Sequence, residues 1–326
     1  MSHLPSDHLA TDASAIFGVS TSFAVLGLKW QAREDTFSFE LNYTPVEGDL
    51  KKRSVLSSLA RIFDPMGWLA PVIVSAKVFM QSLWLLKSGW DDPLPPEYVK
   101  EWETWTSELP AINSLTIPRF VQYSPSVELS EIQGFADASE KACSAVVYLR
   151  LIGQGEVACS LQIAKTKVAP LKKLSIPKLE LLAAYILSKL VKHLVANLPI
   201  KVDAIHLWSD SKDVLFWLRS QPSRWQTFVA NKCSVILTWL PTAYWHYVKS
   251  ADNPADVASR GISPELIKTH PLWWHGPLWL RESTAPWPTT PDQLLNHEPI
   301  EEKTQKLGLV THTAVCFATP ERQLWD

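Results

Sequence analysis

Three acidic residues sit where folding alone explains them poorly, Asp137 in GFADAS, Glu180 in IPKLELLAA and Asp210 in LWSDSKDVL, and a fourth, Asp256 in ADNPADVASRG, completes the set. Asp137 follows a strand-like apolar run, where propensity and burial both disfavour Asp, so its carboxylate either faces solvent or ligates something. For Glu180, steps of about 100° per residue along KLELLAAYILSKL place it inside the apolar arc, between Leu187 and Val191. A carboxylate on a buried edge needs a partner such as a metal ion, unless its tip reaches water or it simply complements the helix dipole. Asp210 has an ordinary alternative too: Ser209, Asp210 and Ser211 are all good N-cap residues, and a cap is worth ~1 kcal/mol. Taken as an ordered set, the four suggest something more. Converging at one end of a sheet, such oxygen ligands hold two hard divalent cations roughly 4 Å apart, the arrangement that cleaves phosphodiesters. Carboxylates, not His or Cys, are what Mg2+ requires.

The elements that must position them follow from hydrophobic period and breakers. FAVLGLKWQAREDTFSFELN predicts a hairpin over about 23–42, and three helices account for about 50–109. From Glu131 the texture turns to strands in EIQGFADAS, ACSAVVYLRLI and EVACSLQIAKTKV. Next come the helix IPKLELLAAYILSKLVKHLVANL, the strand KVDAIHLWSD, two helices and a last strand in YWHYVKS. Strands first and then alternating strand and helix predict a mixed sheet covered by helices. Beyond Arg260 the Pro- and Trp-rich stretch is expected to be a linker with little fold of its own.

Composition narrows the class. The 326 residues are 46% hydrophobic, enough for two cores, and the net charge of −2 gives no global sign of a polyanionic partner. The sign is local: seven lysines lie between Ile163 and Lys192 against the single Glu180. Lys165, Lys167, Lys172, Lys173 and Lys178 there suit a nucleic-acid backbone, though a solvated lysine face is the commoner fate of such runs. Four dispersed cysteines without a CxxC pair argue against structural zinc and against a secreted disulfide scaffold. No signal or membrane-spanning pattern is read, so no membrane partner is expected and the cytoplasm is the expected location. Most of the sixteen tryptophans are expected to anchor packing, with base stacking the minority use.

GFADAS, IPKLELLAA, LWSDSKDVL and ADNPADVASRG resemble the Asp, Glu, Asp, Asp series of ribonuclease H as it occurs in polyproteins of BEL/Pao-type LTR retrotransposons. VLGLKW resembles the primer-grip hairpin of a retroelement reverse transcriptase. RIFDPMGWLAP, SLWLLKSGWDD and WETWTSEL resemble its thumb and connection region, and WWHGPLWL the segment leading toward an integrase. The likeness spans about 25–290. It implies an α/β (α+β overall) fold: a ribonuclease H-like mixed five-stranded sheet flanked by helices at 130–262. A partial, mainly helical reverse-transcriptase region at 1–125 would precede it, and a partly disordered Trp/Pro-rich linker at 263–326 would follow. It also implies Asp137, Glu180, Asp210 and Asp256 as catalytic ligands of two Mg2+ (or Mn2+) ions, acting on the RNA strand of an RNA/DNA hybrid. The rest of a retroelement polyprotein is the implied partner.

Two departures qualify the resemblance. Many ribonucleases H carry a loop His shortly before the last Asp, whereas VKSADNPAD has none, and His246 lies ten residues upstream within the expected last strand. No Tyr-x-Asp-Asp motif occurs, and Asp91-Asp92 reads as a helix stop, so polymerase activity is not expected. A catalytically silent remnant or nucleic-acid-binding scaffold is the competing reading. The peptidase suggested by the name Pao retrotransposon peptidase is less favoured, since neither Asp-Thr-Gly nor Asp-Ser-Gly occurs.

Overall fold

The computed structural model describes residues 22–25, 28–41, 43, 45, 48–121, 123–282, 287–289 and 300–302. Strands β1 (Ser22–Val25), β2 (Leu28–Gln31) and β3 (Thr36–Phe39) form an antiparallel meander, extended by β4 (Thr116–Pro118) into a sheet of order β1-β2-β3-β4. Between β3 and β4 run helices α1 (Lys52–Ala60), α2 (Ala70–Leu85) and α3 (Pro96–Ser107), as the sequence predicts. Prolines sit in the first turn of α2 and of α3, where a missing N–H costs nothing.

The second sheet carries the acidic residues. Its strands are β5 (Leu129–Ala138), β6 (Ala142–Gly153), β7 (Glu156–Val168), β8 (Ala204–Ser209) and β9 (Tyr244–Tyr247), in the order β7-β6-β5-β8-β9. β5, β6 and β7 are antiparallel neighbours, while β8 and β9 add in parallel through crossover helices. The sheet is therefore mixed and five-stranded, as expected. Helices α4 (Ile176–Asn197), α5 (Lys212–Arg219) and α6 (Thr227–Trp239) cover one face, burying Leu181, Leu187 and Val191 of α4 against Ile132, Ala136 and Val147. Both faces of β5 are thus buried, and its polar Glu131 and Gln133 are held there by Arg150 and Trp208.

On the other face, Phe135, Tyr148 and Trp208 pack with α2, with α7 (Pro254–Arg260) and with the segment that follows. The DPMGW turn before α2 docks there backbone to backbone, Ala164 N–H donating to Met66 O at 2.8 Å. Gly67 adopts φ +73°, and a Cβ on it would lie 1.9 Å from Ala164 O. Only glycine fits this contact.

The stretch after Arg260 corrects the expectation of a linker without fold. Residues form α8 (Pro264–Ile267) and α9 (Pro271–His275), with Trp273 and Leu280 fully buried. Trp273 Nε1 donates to Trp68 O at 2.9 Å, and Tyr148 Oη donates to Trp273 O at 2.6 Å. Buried Arg150 pairs with Glu131 at 2.8 Å and donates to Leu280 O and Glu282 O. The partly disordered end expected for this linker falls largely outside the described residues. Among the described residues no helix is long and apolar enough to cross a membrane.

Candidate active site

Three elements deliver the acids to one end of the second sheet. Asp137 is the penultimate residue of β5, paired in register with Ser144 of β6. Glu180 lies in the second turn of α4, and Asp210 directly follows β8, the parallel neighbour of β5. Carboxylate oxygens of Asp137, Glu180 and Asp210 all lie within 4.8 Å of one another. Asp137 and Glu180 are buried, at 3% and 7% exposure, and Asp210 is half-buried.

The cap question at Asp210 resolves in favour of its neighbour. The N-cap of α5 is Ser211, whose Oγ accepts from Val214 N–H at 3.4 Å, and Ser209 Oγ accepts from Ser211 N–H at 3.2 Å. The Asp210 carboxylate takes no part in the cap.

Burial and mutual repulsion drive the site's electrostatics. Burial, then the charge of Asp210, raise Asp137 to about 7. Burial, then Asp137 and Asp210, raise Glu180 to about 10, against one hydrogen bond from Ala138 N–H that opposes the shift. Asp210 is also raised, chiefly by burial. Among the described residues none of the three forms an ion pair, and Glu180 Oε2 is buried with no hydrogen-bond partner. Three converging carboxylates that lack a cation and leave one orphaned oxygen fit a hard divalent ion bound among them.

Neutral donors orient the acids. Ser259 Oγ donates to Asp137 Oδ2, and Ser250 Oγ to Asp210 Oδ2. Asn253, N-cap of α7, donates to Ala136 O at 3.1 Å and lies 3.5 Å from Asp210 Oδ1, while its own Oδ1 accepts from Ala255 N–H. Sequence reasoning missed these three. The signal available was the Asn-Pro pair in ADNPAD, a helix-start signature that ties α7 to the strand end.

Asp256 stands apart from the triad. It occupies the first turn of α7, near enough for its charge to raise the other three, but its Oδ1 is held by Arg260 Nε at 2.6 Å. His246 lies within β9, where its ring stacks on Trp208 at 4.5 Å and its Nε2 is 3.1 Å from His206 Nδ1. Lys165 and Lys167 on β7, and Lys172 and Lys173 in the following loop, are exposed. Lys178 differs: it pairs with Glu301 at 2.9 Å.

A mixed sheet of this order, with three acids at the ends of β5, α4 and β8, defines a ribonuclease H-like domain. Residues 51–211, just under half of the chain, match the family model of the Pao retrotransposon-like RNaseH-like domain. The matched range holds Asp137, Glu180 and Asp210 and stops before Asp256. No curated protein sequence matches the chain. Among solved structures, a foamy viral protease-reverse transcriptase in complex with RNA/DNA hybrid is similar at 15% identity and TM-score 0.42, over 71% of this chain and 29% of that one. Ribonuclease H1 of the halophilic archaeon Halobacterium salinarum is similar at 14% identity and TM-score 0.26, over 39% and 89%. LC9 ribonuclease H1, a type 1 enzyme with the type 2 active-site motif, is similar at 11% identity and TM-score 0.31, over 56% and 98%. The fold itself rests on the strand order and register. The chain spans under a third of the foamy viral chain.

Proposed function

We propose that this chain is a metal-dependent ribonuclease that hydrolyses the RNA strand of RNA/DNA hybrids. The observation that carries the proposal is the meeting of Asp137, Glu180 and Asp210 within 4.8 Å, in a burial that no ion pair among the described residues offsets. Asp137, Glu180 and Asp210 would hold the divalent ions, Mg2+ or Mn2+, with Asp256 joining once Arg260 releases it. Bound there, a pair of such ions supplies Lewis acidity and an activated water for in-line attack on the phosphodiester. Ser259 and Ser250 each occupy one oxygen of Asp137 and Asp210, and Asn253 lies against the other oxygen of Asp210. Asn253 anchors the start of α7 to β5, so Asp256 arrives at the site on a fixed helix end.

Lys165, Lys167, Lys172 and Lys173 would contact phosphates without reading sequence, while hybrid geometry and 2′-hydroxyls supply the discrimination. Lys178, already paired with Glu301, contributes less than the local lysine count implies. With no loop His before Asp256, release of the 5′-phosphate product is left to water and Arg260. A retroelement polyprotein, acting in the cytoplasm or a virus-like particle, is the proposed context.

The test is cleavage of labelled RNA annealed to DNA, beside the same RNA in an RNA duplex, with Mg2+ and an Asp210→Asn variant. Expected is hybrid-specific cutting by the wild type to 3′-hydroxyl ends, lowered at least ~10³-fold in the variant, about 4 kcal/mol of barrier. Equal cutting by both proteins, or none by the wild type, would overturn the enzyme reading; hybrid binding without cutting would mark a silent remnant.

A further inference from the structure

Helices α2 and α3 and the chain just past α7 border an open cavity of about 550 Å³ whose lining involves none of the acids discussed above. Phe79, Trp102 and Trp105 form one wall as a continuous aromatic run, with ring centroids 5.5 Å apart for the first pair and 5.2 Å for the second. Glu97, Glu101 and Glu108 line the same cavity. Lys100 is the single basic residue on the lining, and among the described residues neither it nor the three glutamates forms an ion pair.

The interior is also short of hydrogen-bond partners. Trp102 is 2% exposed and its Nε1 has none; Trp105 Nε1 and Glu108 Oε2 are likewise buried and unpartnered. A buried carboxylate oxygen without a donor carries its full desolvation cost, so a ligand that donates to it has an interaction waiting. Aromatic faces and carboxylates attract the same charge, because the ring quadrupole presents its negative face to a cation. A bare metal ion suits the place poorly: no cluster of ligating side chains forms here among the described residues, and indole rings offer no lone pairs. A flat or chain-borne nitrogen cation satisfies both walls.

We propose that this cavity binds an organic cation, a guanidinium or primary ammonium group, stacked against Trp105, with the buried Glu108 Oε2 as its acceptor and Glu97 and Glu101 at the rim. The proposal stands independently of nuclease activity, since it shares no residue with the acidic triad.

Calorimetric titration of the full chain with N-acetyl-arginine amide, spermidine and neutral N-acetyl-citrulline amide tests it. Expected is saturable binding of at least one cation and none of the citrulline compound, weakened roughly tenfold in Glu108→Gln and several-fold in Glu101→Gln. Preference for the arginine amide points to a side chain of a partner peptide, preference for spermidine to a free polyamine. Equal binding of citrulline amide, absence of cation binding, or unchanged affinity in both variants would overturn the proposal. Should Glu108→Gln fail to fold, Glu101→Gln, on the exposed surface of α3, decides alone.

Discussion

Ser259 shows how much of the site depends on residues that do no chemistry. Its hydroxyl donates to Asp137 Oδ2, so Ser259→Ala should leave folding intact and lower hybrid cleavage about 10- to 100-fold, with the loss reappearing as weaker Mn2+ binding. A purely structural role would change the melting temperature and leave metal affinity alone. Asp137 and Glu180 were legible in the sequence because each breaks a local rule of propensity or pattern, and Asp210 because it falls in order with them. Ser250, Ser259 and Asn253 break none, and only the folded return of α7 beside β5 gives them a task. His246 supplies a pH prediction. Burial first, then His206 and Arg219, hold it down at about 4. A base depressed in the fold contributes stability that is present above the unfolded value of about 6.5 and lost as pH falls through about 4. Thermal melts should therefore drop between pH 7 and 4, and the drop should be shallower in His246→Phe; parallel curves would refute this.

The turn before α2 and the segment after α7 are the elements that join the first helices to the second sheet. At Gly67, a methyl group would have to occupy the space of Ala164 O, with φ already at +73°. Gly67→Ala should cost at least about 3 kcal/mol in denaturant unfolding, whereas Gly155→Ala, at a similar φ but with nothing within 4 Å, should cost clearly less. Trp273 is the anchor of the later segment, and Trp273→Ala should destabilise by about 3–5 kcal/mol. Proteolysis of that variant should cut first between Arg260 and Glu282; an unchanged pattern would show that the segment docks without it. The helices at 52–107 were readable from period and Pro breakers, but this later segment was not. Its Pro and Trp content reads locally as linker, and its partners Trp68, Tyr148 and Arg150 lie more than a hundred residues away.

Across the molecule, the order β7-β6-β5-β8-β9 does one job: it sets β5 and β8 side by side and in parallel, so that Asp137 and Asp210 emerge at the same end. Alternating strands and helices announced such a sheet, and the amphipathic arc of α4 announced that Glu180 would turn inward. Asp256 was the part least readable from its type and position, because its pairing with Arg260 depends on the helical spacing of α7. Holding two buried carboxylates and a half-buried one together without a cation raises Asp137 to about 7 and Glu180 to about 10, so metal entry must expel protons. The most direct measurement is a Mn2+ titration of the full chain at pH 7, followed by calorimetry in buffers of different ionisation heat. Predicted is saturable binding that releases about one proton or more and is lost in Asp137→Asn. Binding of equal strength in that variant, or no uptake at millimolar Mn2+, would contradict a metal centre built from Asp137, Glu180 and Asp210.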